Sequence, residues 1–255
     1  MTPADTSGGF DAEIGEKMCT AIAKKGKDLI YGFNLDIDPA VWNFGLYKTK
    51  DYFTVGITVG STTYFTHGVH KDGRFGNVPY MNGEVFAAPK GVRRERIDLI
   101  NDRYIRGKYS FTDIQKILTE KTVVCVPAAT MHSLIGNGEG EMLLVEPGYG
   151  SRAIQDDYAV LTNFPVLANL TDYSNPFYGK DRYDVAEAAL KMSAPDFSAQ
   201  DALTLLEKVK QTGPWGTRLS FVYTKNENAV YYCLNGDFSN IQIHRFAAPA
   251  FGKCQ

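Results

Sequence analysis

Apolar residues fall into short β-prone runs at both ends of this chain and into helical stripes between them. Thr20 to Ala23 and Leu29 to Asn34 predict two strands across the turn-like Lys24-Lys25-Gly26-Lys27-Asp28. Tyr52 to Val59 and Thr62 to Thr66 predict a hairpin around Gly60-Ser61, and Phe75 to Tyr80 a further strand. The period then changes. Ile97, Leu99, Ile100 and Tyr104 make a helical stripe, and Ser110 with Asp113 has capping spacing ahead of Ile114, Ile117 and Leu118. Met131 to Ile135, Met142 to Glu146 and Tyr158 to Asn163 read as strands, the first two joined by the tight Gly136-Asn137-Gly138-Glu139-Gly140 turn. Helices over Asp181 to Met192 and Ser198 to Lys210 follow. Strands at Leu219 to Thr224, Ala229 to Leu234 and Ile241 to Phe246 finish the pattern. Strands and helices in separate runs predict antiparallel sheets with helix layers, an α+β sandwich, rather than alternating βαβ units. Residues 1–18 are polar with little periodicity and read as an extension. Residues 19–255, without internal repeat or low-complexity tract, read as one domain.

At 255 residues, 44% hydrophobic and 22% charged, the chain can bury a sizeable core. Its net charge of -2 gives no electrostatic footprint for nucleic acid or for an anionic membrane. No window approaches the roughly 18 apolar residues that a spanning helix needs. The mixed run Arg93-Arg94-Glu95-Arg96 predicts a solvated helix face. Cys19, Cys125, Cys233 and Cys254 are widely spaced and form no CxxC, which argues against a disulfide scaffold or structural zinc. Cys125 and Cys233 sit in apolar runs and read as small buried hydrophobes. A reduced, cytoplasmic setting follows, in which the sequon Asn169-Leu170-Thr171 carries no meaning. His67 and His70 lack a third ligand at a sensible spacing, and His132, between Met131 and Leu134, reads as a structural histidine.

The chemistry concentrates at Cys19, directly behind Met18. A cysteine at the start of a mature chain joins a strong nucleophile to an α-amine whose ordinary pKa, roughly 7.7–8.0, suits a base at neutral pH. While residues 1–18 remain attached, that nitrogen is an amide and is not basic. Translation from Met18 with removal of the methionine, or self-cleavage of a longer precursor before Cys19, would expose it.

Cys19-Thr20 is followed by a short hairpin and Gly32-Phe33-Asn34-Leu35-Asp36. Further on come Met131-His132-Ser133-Leu134-Ile135, Leu144-Val145-Glu146-Pro147, Val160-Leu161-Thr162-Asn163-Phe164-Pro165 and Lys180-Asp181-Arg182-Tyr183. In this order and spacing, from Cys19 to about Phe246, the sequence resembles the linear-amide C–N hydrolases. This N-terminal-nucleophile family includes conjugated bile salt hydrolase and penicillin V acylase, with acid ceramidase and the penicillin acyltransferases as more distant members.

The resemblance implies a four-layer αββα sandwich, no cofactor and a small N-acylated substrate, with a homo-oligomer left open. It implies that Cys19 is acylated, that Asp36 holds the Cys19 amine, and that Asn163 donates its side-chain amide to the oxyanion. Arg182 supplies a fixed positive charge. A second oxyanion donor, a backbone N–H, falls at Tyr80 when counted from Gly68, with Asn82 as the alternative. Phe33 stands where most hydrolase relatives carry arginine, which predicts a more apolar leaving-group pocket. Phe33 and Phe65, with Trp42, Phe44 and Tyr64, are candidates to line it or to serve as core. Acyl transfer, and a lapsed site that only binds small molecules, are the competing readings.

Overall fold

The computed structural model describes residues 19–246 except 60, 84–85, 87, 126–128 and 169–176. The extension before Cys19, the sequon Asn169–Thr171 and Cys254 lie outside the described residues. The chain begins with strands β1 (Thr20–Lys25), β2 (Leu29–Asp36), β3 (Asn43–Lys48), β4 (Tyr52–Val59), β5 (Thr62–His70), β6 (Phe75–Gly76) and β7 (Arg94–Arg96). Helices α1 (Ile97–Ile105) and α2 (Phe111–Glu120) follow, then β8 (Thr122–Val124), β9 (Ser133–Gly136), β10 (Met142–Glu146), β11 (Gly150–Ala153) and β12 (Tyr158–Leu161). After α3 (Lys180–Met192) and α4 (Ala199–Lys208) come β13 (Thr217–Thr224), β14 (Ala229–Leu234) and β15 (Gln242–Arg245).

One sheet has the order β12-β1-β2-β13-β14-β15 and the other β11-β10-β9-β6-β5-β4-β3. Every pairing within them is antiparallel. Three apolar clusters define the layers. Phe33, Leu35, Phe53, Val55, Phe75 and Phe221 pack between the sheets. The rings of Tyr31 on β2 and Phe75 on β6 stack there with centroids 4.5 Å apart. Ile22, Ile30 and Val222 on the outer face of the first sheet pack under Leu190 of α3 and Leu203 and Leu206 of α4. Ile135, Leu143 and Val145 of the second sheet pack under Ile100, Tyr104, Ile114 and Ile117 of α1 and α2. The protein is therefore an αββα sandwich, as the segregated runs and the resemblance predict.

Both Ser110 with Asp113 and Ser198 with Asp201 form full capping boxes, the local chemistry that starts α2 and α4. The turn after β9 joins β9 and β10 as an antiparallel hairpin. Three expectations need correction. Arg94 to Arg96 is not a helix face but a strand, β7, paired in parallel with β8; the helix begins at Ile97. The strand expected over Phe75 to Tyr80 stops at Gly76: the Val78 N–H goes to the His67 ring and Pro79 has no N–H to give, and Tyr80 joins Met131 in an isolated bridge. β3 and β11 were not expected at all. Both are sheet edges with little full burial, so they lack the alternation that marks a half-buried strand.

Candidate active site

Antiparallel pairing sets the site. Thr20 pairs with Asn34, so the start of β1 lies beside the end of β2 and places Cys19 near Asp36. On the other side Ala21 pairs with Leu161, which brings Asn163, two residues past β12, to Cys19. β13 adds Thr217 opposite Asp36, and α3 lays Arg182 across the group.

The Cys19 backbone N–H donates to Asn163 Oδ1 at 2.9 Å. Arg182 Nη2 donates to the same oxygen at 2.8 Å, and Asn163 Nδ2 donates to the Tyr80 carbonyl at 2.7 Å. Two donors converging on one amide oxygen fix the orientation of this side chain. Arg182 Nη1 donates to the Cys19 carbonyl at 2.7 Å and to Thr20 Oγ1 at 2.5 Å, and lies 3.7 Å from Asp36 Oδ2. Thr217 Oγ1 donates to Asp36 Oδ1 at 2.6 Å. Cys19, Asp36, Asn163 and Arg182 are all buried.

Burial dominates the electrostatics. It pushes the Cys19 thiol up to about 12, helped by the Asp36 carboxylate and opposed by the Asp36 backbone N–H and by Arg182. It likewise pushes Asp36 up to about 7, against the pull of Arg182 and of the Thr217 hydroxyl. With residue 18 attached, the thiol is therefore protonated at neutral pH. Its own nitrogen cannot take that proton.

The sequence-predicted residues divide into two groups. Cys19, Asp36, Asn163 and Arg182 converge, with the Tyr80 carbonyl on Asn163 and the Asn82 N–H donating to the Asn163 carbonyl at 2.6 Å. In this arrangement Asn163 rather than Asp36 accepts the Cys19 N–H. Phe33 is fully buried between the sheets, stacked on His67 at 4.4 Å and tilted against Phe221. Trp42 and Phe44 pack against the same core. Phe65 does not join them: its ring sits on the Arg106 guanidinium at 4.3 Å and edge-on to Tyr47. Tyr64 lies under the Arg96 guanidinium, at 5.9 Å.

His67 Nδ1 accepts the Val78 N–H at 3.2 Å, and burial lowers its pKa to about 3, so its ring is neutral. His132 is fully buried. Among the described residues no three His, Cys, Asp or Glu side chains come together as a metal group would. No helix there is long and apolar enough to cross a membrane. Cys125 and Cys233 are buried free thiols.

Sequence reasoning missed three supporting residues. Thr217 is a hydroxyl on a strand with no local pattern to mark it, and Thr20, though part of the Cys19-Thr20 pair, was assigned no role. Gly179 caps α3 with φ +76°, and a Cβ there would stand 2.4 Å from Arg182 Nη2. A glycine directly ahead of the Lys180-Asp181-Arg182 start was the signal for it.

No protein-family model matches the chain, and no curated protein matches it in sequence. Solved structures do match in fold. A mutant conjugated bile acid hydrolase from Clostridium perfringens, with cysteine replaced by alanine, superposes with TM-score 0.65 at 15% identity, over 89% of this chain and 92% of that one. A second variant of that hydrolase, with arginine replaced by leucine, gives 0.62 at 14% identity over the same shares. Penicillin V acylase from Agrobacterium tumefaciens gives 0.56 at 14% identity over 85% of this chain and 83% of that one. The chain has the fold of these hydrolases.

Proposed function

We propose that this protein, once Cys19 is its first residue, hydrolyses the linear amide bond of an N-acylated small molecule through a thioester on Cys19. The observation that carries this reading is a buried cysteine whose N–H is taken by Asn163 and whose carbonyl is taken by Arg182, with the Asp36 backbone N–H on its thiol. The fold shared with a bile acid hydrolase and a penicillin acylase supports the substrate class.

The freed amine takes the Cys19 thiol proton as sulfur attacks the acyl carbonyl. The tetrahedral oxyanion meets an Asn163 N–H, and collapse breaks the C–N bond while the α-ammonium protonates the leaving nitrogen. Water then adds to the thioester, giving the carboxylic acid and restoring the thiol. Arg182 keeps the anionic sulfur from facing Asp36 uncompensated.

The test is a panel of N-acyl amino acids, N-acyl homoserine lactones, phenoxyacetyl amides and bile conjugates, read by product release and by mass of the trapped enzyme. The expected result is one acyl group, on a Cys19 peptide with a free α-amine. Turnover that survives Cys19→Ala would contradict the reading.

A further inference from the structure

Asn163 is held by more than its own side chain. The residue before it and the loop after it meet one fully buried pair, His132 and Glu146. His132 Nε2 lies 2.8 Å from the Thr162 carbonyl oxygen, and Nδ1 lies 3.0 Å from Glu146 Oε1. Glu146 Oε1 also accepts the Val166 N–H at 2.8 Å, and Oε2 accepts the Leu167 N–H at 2.7 Å.

The donor count constrains the protons. A carbonyl oxygen only accepts, so Nε2 carries hydrogen. A second proton lies between Nδ1 and Oε1, since two bare lone pairs at 3.0 Å would repel. The pair is thus an imidazolium on a carboxylate, or an imidazole on a carboxylic acid, and both forms grip Thr162. The grip also crosses the sandwich. Glu146 ends β10 and His132 precedes β9, both in the second sheet, whereas Thr162 follows β12 in the first. Two aliphatic side chains would fill this volume but could not hold the backbone on both sides of Asn163. In some proteins a buried polar pair fixes one arrangement while adding little net stability.

We propose that His132 and Glu146 are positioning residues that fix the Asn163 amide for the oxyanion. This rests on the reading of Asn163 given above. The experiment uses the processed enzyme, with working sites counted by acylation. His132→Phe and Glu146→Gln are each expected to lower kcat per counted site by about 10-fold to 100-fold, the scale of a misplaced catalytic group. KM and the rate of Cys19 alkylation should stay within about threefold of wild type, since both side chains are fully buried and bond to each other and to backbone rather than to Cys19.

A merely structural pair would instead reduce the number of working sites and leave kcat per site unchanged. That outcome overturns the proposal while the thioester reading stands. Acylation at a site other than Cys19 would overturn both. Should neither variant fold, the His132 ring ¹⁵N spectrum of the wild-type protein decides. Nε2 bearing hydrogen is expected, and a bare Nε2 overturns the assignment.

Discussion

Two buried carboxylates sit near opposite flanks of Asn163, and they are treated very differently. Glu146 has both oxygens occupied by backbone N–H groups and an imidazole. Asp36 has the Thr217 hydroxyl on one oxygen, while among the described residues Oδ2 has no hydrogen-bond partner and Arg182 stays 3.7 Å away. A buried acceptor left unsatisfied costs about 1–3 kcal/mol, so such groups persist where something else requires them. Glu146 completes a scaffold. Asp36 lies close to Cys19, and on the proposed reading the removal of residues 1–18 would leave an ammonium there that could satisfy it. The site as it stands in the uncut chain is assembled, with the Arg182 cation in place but without a basic nitrogen on Cys19.

The sharpest way to break this comparison is Cys19→Ala, which should lower turnover at least about 10³-fold, as removal of a nucleophile does. Asn163→Ala comes next. It should cost about 10²–10³ in kcat, with a smaller change in KM, if its amide acts on the transition state as proposed. Initial rates across substrate concentration check both.

Asp36→Asn sharpens the contrast through pH. In the uncut chain the Asp36 carboxyl is raised from 3.8 to about 7. The neutral acid therefore favours the folded state at low pH, and that contribution is lost as pH rises through about 7. The thermal midpoint of the uncut chain should fall across this window, and Asp36→Asn should remove that part of the slope. In the processed chain the neighbouring ammonium lowers the Asp36 pKa, and the same slope should shrink. A slope identical in all three proteins would contradict the assignment.

A smaller effect is expected at Gly179. Alanine there must adopt a left-handed φ and press on Arg182, so stability should drop by about 1–3 kcal/mol. Denaturant midpoints measure this. Starting translation at Met18 should give activity at least equal to that of the full chain, because Cys19 then needs no cleavage of a longer extension; initial rates of the two proteins measure this.

Much of this was legible from residues alone. Capping at Ser110 and Ser198, the hairpin after β9 and the order of strand and helix runs follow from local chemistry and period. The nearness of Cys19, Asp36 and Asn163 follows from β1 lying between β2 and β12, a topology that no local pattern shows; the resemblance supplied the roles of these residues, not the strand order. The edge strands β3 and β11 left too weak an alternation to read. Phe65 was misgrouped with Phe33 because sequence adjacency to a hairpin does not say which face of a sheet a ring takes. Nor does any local pattern show that Glu146 reaches Val166 and Leu167, since that contact spans the two sheets.

The central claim is that the sulfur works only when its own nitrogen is free. The direct measurement is the mass of the N-terminal peptide of enzyme trapped as its acyl adduct during turnover. The account predicts a peptide that begins at Cys19 and carries the acyl group on sulfur. An acylated, turning-over chain with Met18 still joined to Cys19 would contradict it.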